Sequence, residues 1–179
     1  MAIPRVPVVI GDCQFRSVLF SNRWSLEQGE RRLALTRRIP SRHVSEVLLA
    51  DGSEYEIRPQ GWGTVIAAGE DGSELGRVVR TSWLGRSWEL TTPSFACHLT
   101  SDPLPRRWSL RIGTEPVGRL SGSAVSYNRL RVHTDVAVPV VGLTLAWHVL
   151  ARPWEAASTP VSLVPSQAAR PPYRLHPDV

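Results

Sequence analysis

Two arginine clusters are the residues whose type and spacing point to chemistry. Arg31, Arg32, Arg37, Arg38 and Arg42 fall within twelve residues, while Arg106 and Arg107 sit just ahead of Trp108 with Arg111 close behind. A guanidinium presents a planar fork that holds a phosphate through two hydrogen bonds, so these arginines are candidates for binding an anion or a lipid headgroup. On a strand, Arg31 and Arg37 would face one way while Arg32, Arg38 and Arg42 lean the other. Only part of the first cluster can then form one patch. The competing reading is a solvated surface paired with acids such as Glu54, Glu56, Glu70, Asp71 and Glu74.

The chain has 21 basic residues, all of them Arg, and no Lys. Lysine Schiff bases, lysine general bases and phosphate-loop lysines are therefore excluded. The five His (43, 98, 133, 148 and 176) are scattered, with no carboxylate or Cys at ligand spacing. There is no HExxH, GxSxG or GxGxxG, and Gly61-Trp62-Gly63 lacks a third glycine. No catalytic residue, cofactor or metal site is expected. Cys13 and Cys97 form no CxxC and are read as buried free thiols. His148, inside an apolar stretch, is read as a hydrogen-bonded core residue. The segment Trp83-Leu-Gly-Arg-Ser-Trp88 can set indoles at a membrane interface. The alternative there is that Trp88 and Leu90 face a core, with Gly85 and Arg86 at a turn.

The elements that position these residues read mainly as β. A chain of 179 residues, 42% hydrophobic with seven Trp, suits one globular domain with a tail. The net charge of +5 is uneven: residues 1–50 carry +4, 51–102 carry −4, 103–152 carry +5 and 153–179 balance. Two basic segments thus flank an acidic one, and they either form opposite faces or pair in the fold. The N-terminal stretch is broken by Pro4 and Pro7, carries Arg5 and does not read as a signal peptide. Val136 to Ala151 has no formal charge but is interrupted by Pro139 and falls short of the roughly 20 residues of a membrane span. It is read as a buried helix, at about 136–152. Six of the 27 residues from Pro153 onward are Pro, so the domain is expected to span 1–155 and a disordered tail 156–179.

Between residues 15 and 133, short alternating runs are separated by turn signals about every ten residues. Asp51-Gly52 and Asp71-Gly72 are the strongest, read as type I′ hairpin turns. Eleven strands are expected: Val18–Leu26, Arg31–Arg37, Ser45–Ala50, Glu54–Arg58, Thr64–Ala68, Glu74–Arg80, Ser87–Thr91, Phe95–Thr100, Trp108–Ile112, Pro116–Leu120 and Arg129–His133. Ser25-Leu-Glu-Gln28 resembles a helix capping box, but Leu33, Leu35 and Ile39 share a period-two face, so a strand is favoured after Arg31. A weak repeat of 42 residues relates Trp24, Ile66 and Trp108, and again Leu33, Leu75 and Val117, each of the latter followed by a small residue: Ala34, Gly76 or Gly118. Three copies are too few for a propeller and fit a closed barrel or trefoil-like body.

The order of elements after Gly113, an apolar-Gly-Arg-apolar strand, a Ser-rich loop, Arg129-Leu-Arg-Val-His133 and then Asp135 leading into an apolar helix, resembles the end of the tubby-like superfamily. That superfamily includes the LURP-one-related proteins and the phospholipid scramblases, and the chain is read as a bacterial-type member. The resemblance covers roughly residues 18–152. It implies a closed antiparallel β-barrel of 11–12 strands around one hydrophobic C-terminal helix, Val140 to Leu150. It also implies phosphoinositide binding through a basic barrel face, which would assign Arg31, Arg32, Arg37, Arg38, Arg42, Arg106 and Arg107 to an anionic headgroup. Neither the calcium-binding acidic segment nor the palmitoylated cysteine cluster of scramblases is found, so scramblase activity does not carry over. The expectation is a non-enzymatic, cytoplasmic binding or scaffold module, peripheral to the membrane. Its partner would be an anionic membrane surface or another protein. The alternatives are a small-ligand binder or enzyme with a site at the barrel mouth, and a nucleic-acid-binding protein, which the acidic middle segment opposes.

Overall fold

Alternation of apolar and polar side chains builds twelve antiparallel strands, each turning one face inward. They are β1 (Val8–Ser17), β2 (Arg23–Gln28), β3 (Arg31–Ile39), β4 (Val44–Leu49), β5 (Glu54–Pro59), β6 (Thr64–Gly69), β7 (Glu74–Arg80), β8 (Ser87–Thr92), β9 (Phe95–Ser101), β10 (Arg107–Ile112), β11 (Glu115–Gly122) and β12 (Arg129–Pro139). A single α-helix, α1 (Val140–Ser158), follows. This computed structural model describes residues 7–17, 21–84, 86–104, 106–122 and 128–158, with 152–158 described by backbone alone. Each strand pairs with its neighbours in sequence, and β1 pairs with β12 to close the barrel. Closure removes every sheet edge.

The helix fills the barrel. Every residue from Val140 to Ala151 is buried, a length of about 18 Å at 1.5 Å per residue. Trp147 is fully buried, stacked on Phe15 (centroids 5.8 Å apart) and met edge-on by Trp24 at the same distance. Outward positions such as Arg37, Glu56, Arg77, Glu89 and Arg119 are polar, the reverse of a membrane-spanning barrel. No helix among the described residues is long and apolar enough to cross a membrane.

The 42-residue repeat has a structural cause. In the hairpins β2–β3, β6–β7 and β10–β11 the register slips by one residue, and the extra residues are Leu33, Leu75 and Val117. At the second and third bulges the following residue is a glycine because the next strand approaches closely. A Cβ on Gly118 would lie 2.7 Å from the carbonyl oxygen of His133, and one on Gly76 would lie 3.0 Å from that of Thr91.

Several expectations need revision. The strand expected at 18–26 is β2, beginning at Arg23, and residues 18–20 lie outside the described residues. Strand β1 was not among the expected eleven. Residues 136–139, expected to be helical, complete β12, and α1 starts at Val140, whose N–H donates to the carbonyl of Pro7 at 2.8 Å. The helix continues past 155 to Ser158, and the tail from 159 onward lies outside the described residues. The two Asp-Gly turns are not type I′, because only Gly52 and Gly72 have positive φ. Each is a three-residue turn in which the glycine N–H donates to the residue three before it, Leu49 or Gly69.

Candidate functional site

An antiparallel meander delivers its connections alternately to the two ends of the barrel, and this parity decides where the candidate residues go. Arg31 and Arg32 open β3 at the end where α1 begins. Arg42, in the turn Pro40–Arg42 between β3 and β4, lies at the opposite end, and so do Arg106 and Arg107 at the start of β10. Arg37 stands on the outer wall, paired across the sheet with Glu46: its Nε and Nη2 lie 2.8 and 2.6 Å from Oε2. Arg38 is 4% exposed and points into the barrel. The five arginines of the first cluster therefore occupy two ends, an outer wall and the interior.

The end away from the helix start collects other side chains around Arg42, Arg106 and Arg107. Trp62 (74% exposed), Trp83 (82%), Leu84 (72%) and Leu104 (54%) stand out from three connections that follow one another around the rim. Arg80, the last residue of β7, ties two of these connections together. Its guanidinium carbon lies 5.8 Å from the centre of the Trp62 ring, its Nε donates to the Ser82 carbonyl at 2.9 Å, and its Nη2 donates to the Trp83 carbonyl. Trp62 and Trp83 meet with ring centroids 6.2 Å apart. The Ser82 hydroxyl accepts the N–H groups of Arg86 and Ser87 at 2.8 and 2.9 Å, which shapes the 81–86 connection. The next connection is tied on by the Ser101 N–H donating to the Arg86 carbonyl at 2.8 Å. The result is an apolar crest bordered by Arg80, Arg86, Arg106 and Arg107, with Arg42 further round the rim.

Trp88 packs against the core and Leu90 is 1% exposed, so of the two indoles in the 83–88 segment Trp83 alone projects. Trp62, Leu104 and Arg80 were not among the expected site residues, and Leu84 and Arg86 were expected only as part of the 83–88 segment. The available signal was Gly61-Trp62-Gly63: an indole between glycines at a turn has no strand face to bury it.

Polar side chains inside the barrel pair with one another across it. Ser45 Oγ and His148 Nδ1 share a buried hydrogen bond of 2.8 Å, and the Tyr55 hydroxyl and Thr144 Oγ1 share one of 2.7 Å. The indole nitrogens of Trp24 and Trp147 and the Thr36 hydroxyl are buried without a hydrogen-bond partner. Both thiols, Cys13 and Cys97, are buried and free, and burial pushes each up to about 12, so neither is a nucleophile near neutral pH. On the outer wall His133 Nδ1 lies 2.8 Å from Asp12 and Nε2 3.3 Å from Asp135. The hydrogen bond to Asp12, helped by Asp135, raises the His133 pKa. Among the described residues no group of three or more His, Cys, Asp or Glu is placed to hold a metal ion.

The described strands thus make one closed twelve-stranded barrel around a single C-terminal helix. The X-ray structure of an Arabidopsis thaliana protein, AT5G01750, shares it with a TM-score of 0.53 at 10% sequence identity, over 84% of this chain and 94% of that one. No protein-family model and no curated protein matches the sequence.

Proposed function

We propose that the protein is a non-enzymatic binding module that seats the tryptophan-bearing end of its barrel on an anionic membrane surface. The observation that carries this reading is the crest of Trp62, Trp83, Leu84 and Leu104 among Arg42, Arg80, Arg86, Arg106 and Arg107. Indole rings settle at the level of lipid headgroups, and each Arg close to an anionic leaflet contributes about 1 kcal/mol. A salt-bridged solvated surface does not account for the four apolar side chains, and the one acid in these connections, Asp102, accepts a hydrogen bond from Ser109 at 2.7 Å. The buried free thiols and the anionic character of the inner leaflet support a cytoplasmic, peripheral site of action. The tubby-like resemblance, with its phosphoinositide binding through basic residues, supports the same class of ligand.

Liposome co-sedimentation tests the reading. Binding is expected to phosphatidylserine- or phosphoinositide-containing vesicles and not to phosphatidylcholine alone, weakening as salt rises from about 0.05 to 0.5 M. Trp62→Ala combined with Trp83→Ala is expected to lower binding at least about tenfold, the loss of two interfacial anchors. Folded protein that stays in solution with every anionic vesicle overturns the reading. Equal binding by the double variant does so as well.

A further inference from the structure

The end of the barrel where α1 begins holds a feature that membrane docking leaves unused. Between the turns at 50–53, 70–73 and 93–94 and the first residues of α1 lies a cavity of about 760 Å³. Pockets of roughly 300–1,000 Å³ hold a drug-sized ligand. The floor is apolar, made by Leu49, Leu75, Val141 and the ring of Tyr55, whose hydroxyl is already engaged by Thr144. The rim is acidic: Asp51, Glu54, Glu70 and Asp71 line it, and among the described residues no Arg does.

The sign of the field at this mouth follows from magnitudes. The positive end of the α1 dipole opens here, but it amounts to about half a charge. Four carboxylates outweigh it, and Arg31 and Arg32, which open β3 at this end, do not line the cavity. Hydrogen bonds from Ser53 and Ser73 hold the Asp51 and Asp71 carboxyls below their ordinary range, so both are ionised at neutral pH. Glu54 and Glu70 are exposed and have no ion-pair partner among the described residues.

We propose that this mouth binds a small cationic amphiphile, an amine or guanidinium carried on an apolar body. The body lies on the floor of Leu49, Leu75, Val141 and Tyr55, and the cation sits among the rim carboxylates. Burial of the body supplies affinity, and the unpaired acids supply selection for positive charge. The proposal is independent of membrane docking at the other end.

The test uses the full chain, isotope-labelled for NMR, and three probes of matched length: phenylbutylamine, phenylbutanol and phenylbutyrate. The amine is expected to shift the amides of Gly52, Gly72 and Val141 saturably, the alcohol to do so more weakly, and the carboxylate not at all. Glu54→Gln with Glu70→Gln is expected to weaken amine binding about fivefold, the effect of two exposed charge contacts, with the melting temperature unchanged. Leu75→Trp fills the floor and is expected to abolish binding of amine and alcohol alike. Equal shifts from amine and carboxylate overturn the proposal, as do shifts confined to residues away from the mouth or no shift at saturating amine. Undiminished amine affinity in the Glu54→Gln/Glu70→Gln variant, which does not depend on the core, overturns it too.

Discussion

The two ends of this barrel are made by the same strands and share one helix, yet their connections have opposite chemistry. Where α1 begins, the turns at 29–30, 50–53, 70–73, 93–94 and 113–114 contribute Glu30, Asp51, Glu70 and Asp71 and no Arg. At the other end, the described residues of the connections 40–43, 60–63, 81–86 and 102–106 contribute Arg42, Arg86 and Arg106 against a single acid, Asp102, together with Trp62, Trp83, Leu84 and Leu104. The acidic end is built of tight turns braced from within, as in Asp51 Oδ1 accepting from the Ser53 N–H at 3.0 Å and hydroxyl at 2.6 Å, and Asp71 from Ser73 at 2.9 and 2.6 Å. The basic end carries longer connections that project apolar side chains. The difference shows that the sheet fixes positions while the connections carry chemistry, so either end can change without disturbing the core.

The largest effect is expected from a change that belongs to neither end. Trp147→Ala removes the buried ring that touches Phe15 and Trp24, and it should cost about 3–5 kcal/mol. Thermal denaturation followed by amide signals from both ends should give one shared transition at a lower temperature; two separate transitions would mean that the ends do not share a core. Next comes Arg86→Ala with Arg107→Ala. At about 1 kcal/mol per Arg near an anionic leaflet, partitioning onto phosphatidylserine vesicles should fall about thirtyfold with no loss of melting temperature. Glu54→Gln with Glu70→Gln should leave that partitioning intact, and a comparable loss there would erase the contrast between the ends.

A smaller effect concerns the acidic turns. The Asp51 and Asp71 carboxyls are held low by hydrogen bonds from Ser53 and Ser73, so the stability they contribute is full above the ordinary carboxyl pKa and is lost as pH falls through the depressed values. Ser53→Ala and Ser73→Ala should return both titrations toward the ordinary value, and NMR titration of the two carboxyls reads this directly. An ordinary value in the unaltered protein would show that these braces are absent in solution. The smallest effect is on the outer wall, midway between the ends. The His133 pKa is raised chiefly by its hydrogen bond to Asp12, so this pair stabilises fully below the ordinary His pKa and loses its contribution as pH rises through the raised one. Asp12→Asn should lower the His133 titration midpoint and leave ligand binding at both ends unchanged.

The fold was legible where alternation is clean. Strand β7 was bounded correctly at Glu74–Arg80, and β5 and β6 to within a residue. Strand β1 escaped because Val8 and Ile10 on its outward face are as apolar as the inward Val9, which hides the alternation, and because prolines precede it. The helix start was misplaced because Val136, Ala137 and Val138 are as apolar as the helix they precede. The site was less legible for a different reason. Charge summed along the chain mixes both ends, since successive connections alternate between them. The acidic segment 51–102 supplies Asp51, Glu70 and Asp71 to one end but Trp62, Arg80, Trp83 and Arg86 to the other. Only the parity of the connections sorts them.

The closing seam between β1 and β12, with the core helix following directly after it, bears on how the chain is made. Pairing Phe15 with Leu130 joins residues far apart in sequence, so the seam is the slow, entropically costly step of a meander whose other pairings are local. During synthesis the strands emerge first and the interior last. Until residues near 151 have left the ribosome, the inward faces of the other strands have nothing to bury against, and chain termination before Val140 should yield a nascent sheet that chaperones hold and proteases clear.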